Sequence, residues 1–214
     1  MSDAILFFTF SPVQSFIAEA RRTSDLYVGS QILVHLAKAS AQTLKQRGTL
    51  IYPAELSDDV PNKLVARVAW EEAGSIAEEA KNALLSEWNR IAETASWKLT
   101  TGWGIPTKGP LPEAVWHAIW AQQIANMWEI YWAAAKDGGS YKAAYEEAGR
   151  ALDAAKHTKA FTSVEEDGVK DSLSGCRTAL HTGRLGAKDY WAEIGKQVGA
   201  AKLRPDGDNA RLLL

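Results

Sequence analysis

The chain has 214 residues, of which 46% are hydrophobic and 23% are charged, an ordinary balance for one soluble globular domain with or without a smaller appendage. Its formal net charge of -2 provides no overall positive field to attract nucleic acid. The single cysteine, Cys176, excludes an intramolecular disulfide framework and a multi-cysteine zinc site. The sequence shows no basic and apolar leader pattern, so we expect a cytoplasmic protein that does not enter a membrane.

The first predicted element is a strand. Residues 4–10 form a short apolar run rich in aromatics, which is typical of a strand buried on both faces. Ser11 and Pro12 close this run. Proline suits the first turn of a helix and serine suits its N-cap, so the pair predicts a helix that begins directly after the strand with Ser11 as the cap.

The sequence predicts a break near Gly29 and Ser30. A second stretch of helical periodicity follows, and Gly48 ends this second predicted helix. The remaining predicted elements, in chain order, are strands over 49–53 and 63–68, a helix over 75–95, a loop over 102–112, and helices over 114–125, 141–157 and 190–198.

Residues 127–135 fit two structures. Trp128, Ile130 and Trp132 alternate as in a strand, but the same segment also extends the preceding helix, and periodicity alone leaves both open. If the segment is a strand, the order becomes strand–helix–strand–strand–helix–strand. That order predicts an α+β fold of the ferredoxin-like kind, with helices on one face of an antiparallel sheet and additional C-terminal helices. We expect this domain over residues 1–136, with a helical and loop extension over 137–214 that packs on it or continues into a further half.

The end of the first strand carries the candidate binding residues. A strand that enters a helix through Ser-Pro places free backbone N–H groups and a hydroxyl at a positive helix terminus, which accepts phosphate or a ribose hydroxyl. Gln14 and Ser15 add hydrogen-bonding groups, and Gly29 and Ser30 leave room for a close backbone approach. These residues, with Ser11, form the predicted nucleotide site. An ordinary N-cap followed by an ordinary helix break explains the same residues, and the residues alone do not decide between the two.

Other polar residues are weaker candidates. Arg21 and Asp25 make an i, i+4 pair beside Arg22, which fits either a solvated surface pair or a contact to a neighbouring subunit or an RNA phosphate. The adjacent Asp58 and Asp59 fit a solvated loop better than a metal site. Four tryptophans favour a core or a subunit interface over base stacking: Trp116, Trp120, Trp128 and Trp132.

Residues 10–30 carry a specific resemblance. They read FSPVQSFIAEARRTSDLYVGS and resemble the opening of the Cmr-type large subunit of type III (III-B) CRISPR effector complexes. That family begins its first palm with a short strand, a Pro-Val-Gln-x-Phe-Ile element, then Arg-x-x-Asp-Leu and Gly-Ser. Weaker matches follow in the family's order at 52–53, 60–63, 129–132, 152–156, 172–175, 179–181 and 204–212.

The resemblance implies the N-terminal palm-like domain of an RNA-guided antiviral complex. In the family, a second palm carries a Gly-Gly-Asp-Asp turn that binds Mg or Mn, and the paired palms hold ATP and make cyclic oligoadenylates. This chain has no such turn, no acid at the end of its first strand and no HD nuclease motif, so we expect no catalysis by the chain alone. The family often has zinc-binding cysteines near the positions of Asp171 and Ser174. Because neither residue is a cysteine here, no zinc is expected.

The expectation is therefore a domain that assembles with other subunits, meets guide and target RNA indirectly, and forms one wall of a composite ATP site. Two alternatives remain open. The chain is part of an active synthase whose catalytic palm comes from another domain or chain, or it is a scaffold that binds no nucleotide. Whether it is a piece of a longer protein, a split subunit or a degenerate relative also stays open.

Overall fold

The computed structural model describes residues 2–20, 22–102, 113–158, 166–171, 174–182, 186–198, 205–206 and 209–210. Most of the predicted loop over 102–112, Arg21 and the apolar C-terminal residues lie outside these ranges. The elements are β1 (Asp3–Ser11), α1 (Gln14–Ala18), α2 (Thr23–Arg47), β2 (Thr49–Tyr52), β3 (Lys63–Ala69), a 3-10 turn (Trp70–Glu72), α3 (Ala73–Trp97), a π-helical turn (Lys98–Gly102), α4 (Glu113–Ala125), β4 (Glu129–Lys136), α5 (Tyr141–His157), α6 (Ala187–Val198), β5 (Pro205–Asp206) and β6 (Asn209–Ala210).

The first four strands form one antiparallel sheet in the order β2-β3-β1-β4. The ambiguous segment is therefore a strand, because β4 pairs with β1 along its whole length, from Ala4 opposite Lys136 to Ser11 opposite Glu129. Strand order and connections confirm the predicted ferredoxin-like arrangement. β1 lies at the centre and is buried from Ala4 to Phe10, as its continuous apolar run predicted.

The helices α2 and α3 cover one face of the sheet. α2 packs against β2 and β3, and Ser40 on α2 donates a hydrogen bond to the carbonyl oxygen of Ala80 on α3 at 3.0 Å. An aromatic cluster extends this layer: the Trp128 ring lies 5.5 Å from Phe10 and 5.4 Å from Trp88 of α3. Trp128 thus belongs to a core, as predicted for the tryptophans.

The helix α5 packs on the opposite face. Its N-cap, Ser140, accepts a hydrogen bond from the backbone N–H of Ala143, which starts the helix at the residue that periodicity predicted. Three residues at helical spacing then form its buried stripe, Ala144, Ala148 and Leu152, and these pack on β1, β3 and β4 at Ile5, Phe7, Val65, Ala133 and Ala135. Side chains alternate along a strand, so Phe7 faces α5 while Phe10 faces the other layer.

Contacts divide the chain into two compact units. One consists of Met1–Asn89 with Trp128–Thr162, and the other of Arg90–Met127 with Ser163–Leu214. This division differs from the predicted boundary after residue 136. The reason is that α5 packs on β1 and β4 and so belongs to the same unit as the sheet. The second unit has its own core, formed by Trp116, Leu180, Tyr190, Trp191 and Ile194. In the described part of the chain, no helix combines the length and apolar character needed to cross a membrane.

Candidate nucleotide-binding site

A pocket lies where β1 ends. Its volume is about 440 Å³, within the range of roughly 300–1,000 Å³ common for small-molecule sites. Most of its wall is one continuous segment, and two residues distant in sequence complete it. The lining residues are Thr9, Phe10, Ser11, Pro12, Val13, Gln14, Ser15, Asn62 and Lys156. The fold therefore brings three of the five predicted nucleotide-site residues, Ser11, Gln14 and Ser15, to one cavity.

The predicted role of Ser11 as a helix N-cap is wrong. Ser11 is the last residue of β1 and pairs with Glu129, so its backbone belongs to the sheet. The helix begins later, with Val13 at the N-cap position and no side-chain capping bond. Since α1 has only five residues, it supplies little of the positive helix terminus that the sequence reading invoked for phosphate.

Gly29 and Ser30 do not reach the pocket. Both lie inside α2, which is continuous from Thr23, so the predicted break near them is also wrong. The chain instead breaks between α1 and α2. A Cβ built on Gly29 would meet Cε1 of Phe16 at 3.7 Å, an ordinary packing distance, so Gly29 lies where α1 rests on α2. A glycine inside a helix costs about 1 kcal/mol, which a long and partly buried helix tolerates.

The second predicted cluster has a local structural role. The backbone N–H of Arg22 donates to Oδ2 of Asp25 at 3.2 Å, so Asp25 helps to begin α2. Arg21, the expected ion-pair partner of Asp25, is outside the described residues. Whether Arg22 and Asp25 contact a subunit or RNA stays a prediction.

Lys156 and Asn62 are pocket residues that sequence reasoning missed. Lys156 stands in the last turn of α5 and is the one basic side chain among the described residues that line the pocket. Asn62 precedes β3, and its side-chain N–H donates to the carbonyl oxygen of Phe10 at 3.2 Å, which holds this loop against β1. The available signals were the weak family matches over 60–63, which includes Asn62, and over 152–156, which includes the lysine.

A carboxylate also lies at the end of β1, although it comes from another strand. Glu129 on β4 accepts a hydrogen bond from the Tyr131 hydroxyl at 3.0 Å and a longer one from the Ser11 hydroxyl at 3.4 Å. The sequence reading found no acid at the end of the first strand, and the pairing of β1 with β4 explains the difference. Glu129 can orient the Ser11 hydroxyl at the pocket wall.

The described ranges hold no group of three or more histidine, cysteine, aspartate or glutamate side chains that could hold a metal ion. Asp58 is fully exposed and lies 3.5 Å from Lys38 Nζ, which is the solvated arrangement predicted for the Asp58–Asp59 pair. Asp171 accepts hydrogen bonds from the backbone N–H and the hydroxyl of Ser174.

Comparison with known proteins agrees with the resemblance found in the sequence. Residues 5–59 match the family model described as CRISPR-associated protein Cmr2, N-terminal. The resemblance is thus confirmed over the segment from β1 to the loop after β2. No curated protein matches the chain.

A solved chain shares the fold. The cryo-EM structure of type III-B Cmr-beta in the apo state contains a chain that superimposes with a TM-score of 0.63 at 10% identity. The match covers 99% of this chain and 31% of that chain, so the present chain spans about a third of its length.

Proposed function

We propose that this chain serves as the N-terminal palm-like domain of the large subunit of a type III-B CRISPR effector complex. It acts in antiviral defence by assembling with the other subunits and meets guide and target RNA through them. Two observations support this proposal. The family match runs from β1 through β2, and the structural match to the Cmr-beta chain covers nearly the whole of this chain.

We further propose that the pocket at the end of β1 is one wall of a composite ATP site. The observation that carries this step is the convergence of Ser11, Gln14 and Ser15 with Lys156 on one cavity. An ammonium group binds phosphate as a point charge, and hydroxyl and amide groups hydrogen-bond to phosphate oxygens or ribose.

The charge balance explains why the site is proposed as one wall. A triphosphate carries several negative charges, and Lys156 is the one cation found on the described lining. The remaining positive charge, as Mg or Mn held by acids of a second palm, would come from another domain or chain. In this proposal the chain binds and orients the nucleotide, and it does not catalyse a reaction alone.

ATP titration of the isolated chain by calorimetry tests the pocket. We expect Lys156→Ala to weaken ATP binding by about 10-fold or more, because a hydrogen bond to a charged group contributes roughly 1.5–3 kcal/mol. Gln14→Ala together with Ser15→Ala should weaken it further. Lys142→Ala is the matched control, because Lys142 lies in the first turn of the same helix and makes an exposed pair with Glu146.

The outcomes separate the three functional readings. Normal assembly with the other subunits, together with ATP binding by the assembled complex that Lys156→Ala leaves unchanged, would favour the scaffold. Cyclic oligoadenylate made by this chain alone would contradict the view that the acids come from elsewhere. Failure to co-purify with the other Cmr subunits would contradict the assembly role itself.

A further inference from the structure

Four side chains form a continuous surface on the α5 side of the sheet. Lys63 and Arg67 come from β3, and Tyr141 and Tyr145 come from the first turns of α5. The Lys63 ammonium lies 4.8 Å from the Phe7 ring centroid, and the Tyr145 ring packs edge-on against the same Phe7 at 4.8 Å. Tyr141 follows at 5.8 Å from Tyr145, and the Arg67 guanidinium lies 5.8 Å from the Tyr141 ring. We call this set the β3–α5 surface.

The two cations of this surface are available for an external anion. Lys63 and Arg67 are exposed, and within the described ranges no carboxylate lies within 4 Å of either one. Three basic side chains on α2 and α3 differ from these two, since Lys38, Arg47 and Lys81 each have a carboxylate partner. An anionic partner therefore fits this surface even though the chain as a whole is slightly acidic.

The aromatic side chains specify the kind of anion. Tyr141 is 41% exposed and Tyr145 is 38% exposed, so each presents part of a ring to solvent beside a cation. Lys63 and Arg67 are four residues apart on one strand, hence on one face and roughly 13 Å apart. A row of cations that follows a sugar–phosphate backbone, next to rings on which bases stack, is the usual arrangement for binding unpaired nucleic acid.

We propose that the β3–α5 surface binds single-stranded nucleic acid directly. Lys63 and Arg67 contact phosphates, and Tyr141 and Tyr145 stack with unpaired bases. This inference goes beyond the proposed function, in which RNA is met only through other subunits. It is independent of the ATP site, because none of the four residues lines that pocket.

Fluorescence anisotropy with labelled oligouridylate of about 12 nucleotides tests the proposal. Two phosphate contacts to a single strand predict a slope of log K against log salt of about -1.4 between roughly 50 and 200 mM salt. The double variant Lys63→Ala with Arg67→Ala should lose this dependence. The charge-matched control is Lys45→Ala with Lys81→Ala, whose residues lie on α2 and α3 at the other face of the sheet; it should leave the slope unchanged.

The tyrosines give a second, separable result. Tyr141→Ala should weaken binding by about 5- to 150-fold without changing the salt slope, the effect of losing one stacked base. Tyr141→Phe keeps the ring and should retain the affinity. An oligodeoxythymidylate of the same length tests whether the sugar matters, and a duplex should bind more weakly because its bases are already stacked.

Several results would overturn the proposal. These are no salt-dependent binding by the wild-type chain, an equal loss in the Lys45/Lys81 control, or a duplex that binds as tightly as the single strand. Circular dichroism confirms that each variant is folded. If the double alanine variant unfolds, Lys63→Gln with Arg67→Gln replaces it and must show the same loss of slope. ATP titration of the same variants should be unchanged, which separates this inference from the ATP site.

Discussion

The contact between Gly48 and β3 leads to the sharpest prediction of stability. A Cβ added at Gly48 would lie 2.3 Å from the carbonyl oxygen of Arg67 and 2.9 Å from Cγ1 of Val68. The φ of Gly48 is -167°, an extended conformation that any residue adopts. Gly48 ends the helix as its sequence position predicted, and the structure requires glycine there because β3 lies too close for a side chain.

Gly48→Ala should therefore push β3 away from the start of β2. The obstacle is a backbone oxygen that no side-chain rotation can move, so we expect the free energy of unfolding to fall by about 1–3 kcal/mol. A chain of this size loses roughly 2–4 °C in Tm per kcal/mol, which gives a decrease of about 2–12 °C.

Gly149→Ala is the matched control. Gly149 lies within α5, and a Cβ there meets nothing within 4 Å. Alanine restricts the unfolded chain and favours the helix. The free energy of unfolding of this variant should therefore rise by about 0.5–1 kcal/mol, and its Tm by roughly 1–4 °C. The same substitution thus has opposite signs at two glycines of one chain.

Thermal unfolding followed by circular dichroism measures both shifts. Hydrogen exchange of the β2 and β3 amides then locates the effect, which matters because the chain has two compact units. If Gly48→Ala leaves both Tm and the exchange of β3 unchanged, the close approach of Arg67 to Gly48 is not a feature of the protein.

Two further predictions concern the cores of the two units. Leu152→Ala truncates a side chain of α5 that is 1% exposed and packs on the sheet. The free energy of unfolding, measured by urea titration, should fall by about 2–5 kcal/mol. A decrease below about 1 kcal/mol would mean that α5 is not packed on the sheet. Burial raises the pKa of Tyr190 to about 12 from its ordinary value of 10.0, so the folded state favours the neutral form. The contribution of this group to the free energy of unfolding is therefore complete below pH 10 and is lost as the pH rises towards 12. At pH 11 the wild-type chain should have lost up to about 1.4 kcal/mol more than Tyr190→Phe, relative to pH 8, and equal losses in both would contradict a buried Tyr190.

The sequence predicted the order of the elements well because each carries its own local signal. The apolar run of β1 and the helical pattern of residues 141–157 are short-range features, and both elements were confirmed at or near their predicted bounds. The helix break was misplaced because Gly29 looks like a local break, whereas its contact with Phe16 is tertiary.

The candidate site was only half predictable, for a physical reason. Ser11, Gln14 and Ser15 are neighbours in sequence, so one motif indicated them together. Lys156 and Glu129 reach the same end of β1 only through the packing of α5 and the register between β1 and β4, and no local pattern encodes either contact.

The position of α5 links the two proposed binding surfaces. Its buried stripe covers the sheet face from Ile5 to Phe7, which leaves the Ser11 end of β1 uncovered next to Lys156 in the last turn. Its first turns place Tyr141 beside Arg67.

A loosening of α5 should therefore weaken both activities at once. We expect Leu152→Ala to weaken ATP binding and oligouridylate binding together, because Lys156 follows Leu152 by one turn and the tyrosines depend on the same helix. Lys156→Ala should weaken ATP binding alone, and the Lys63/Arg67 double variant should weaken nucleic-acid binding alone. If Leu152→Ala remains folded and weakens neither activity, α5 does not organise these surfaces.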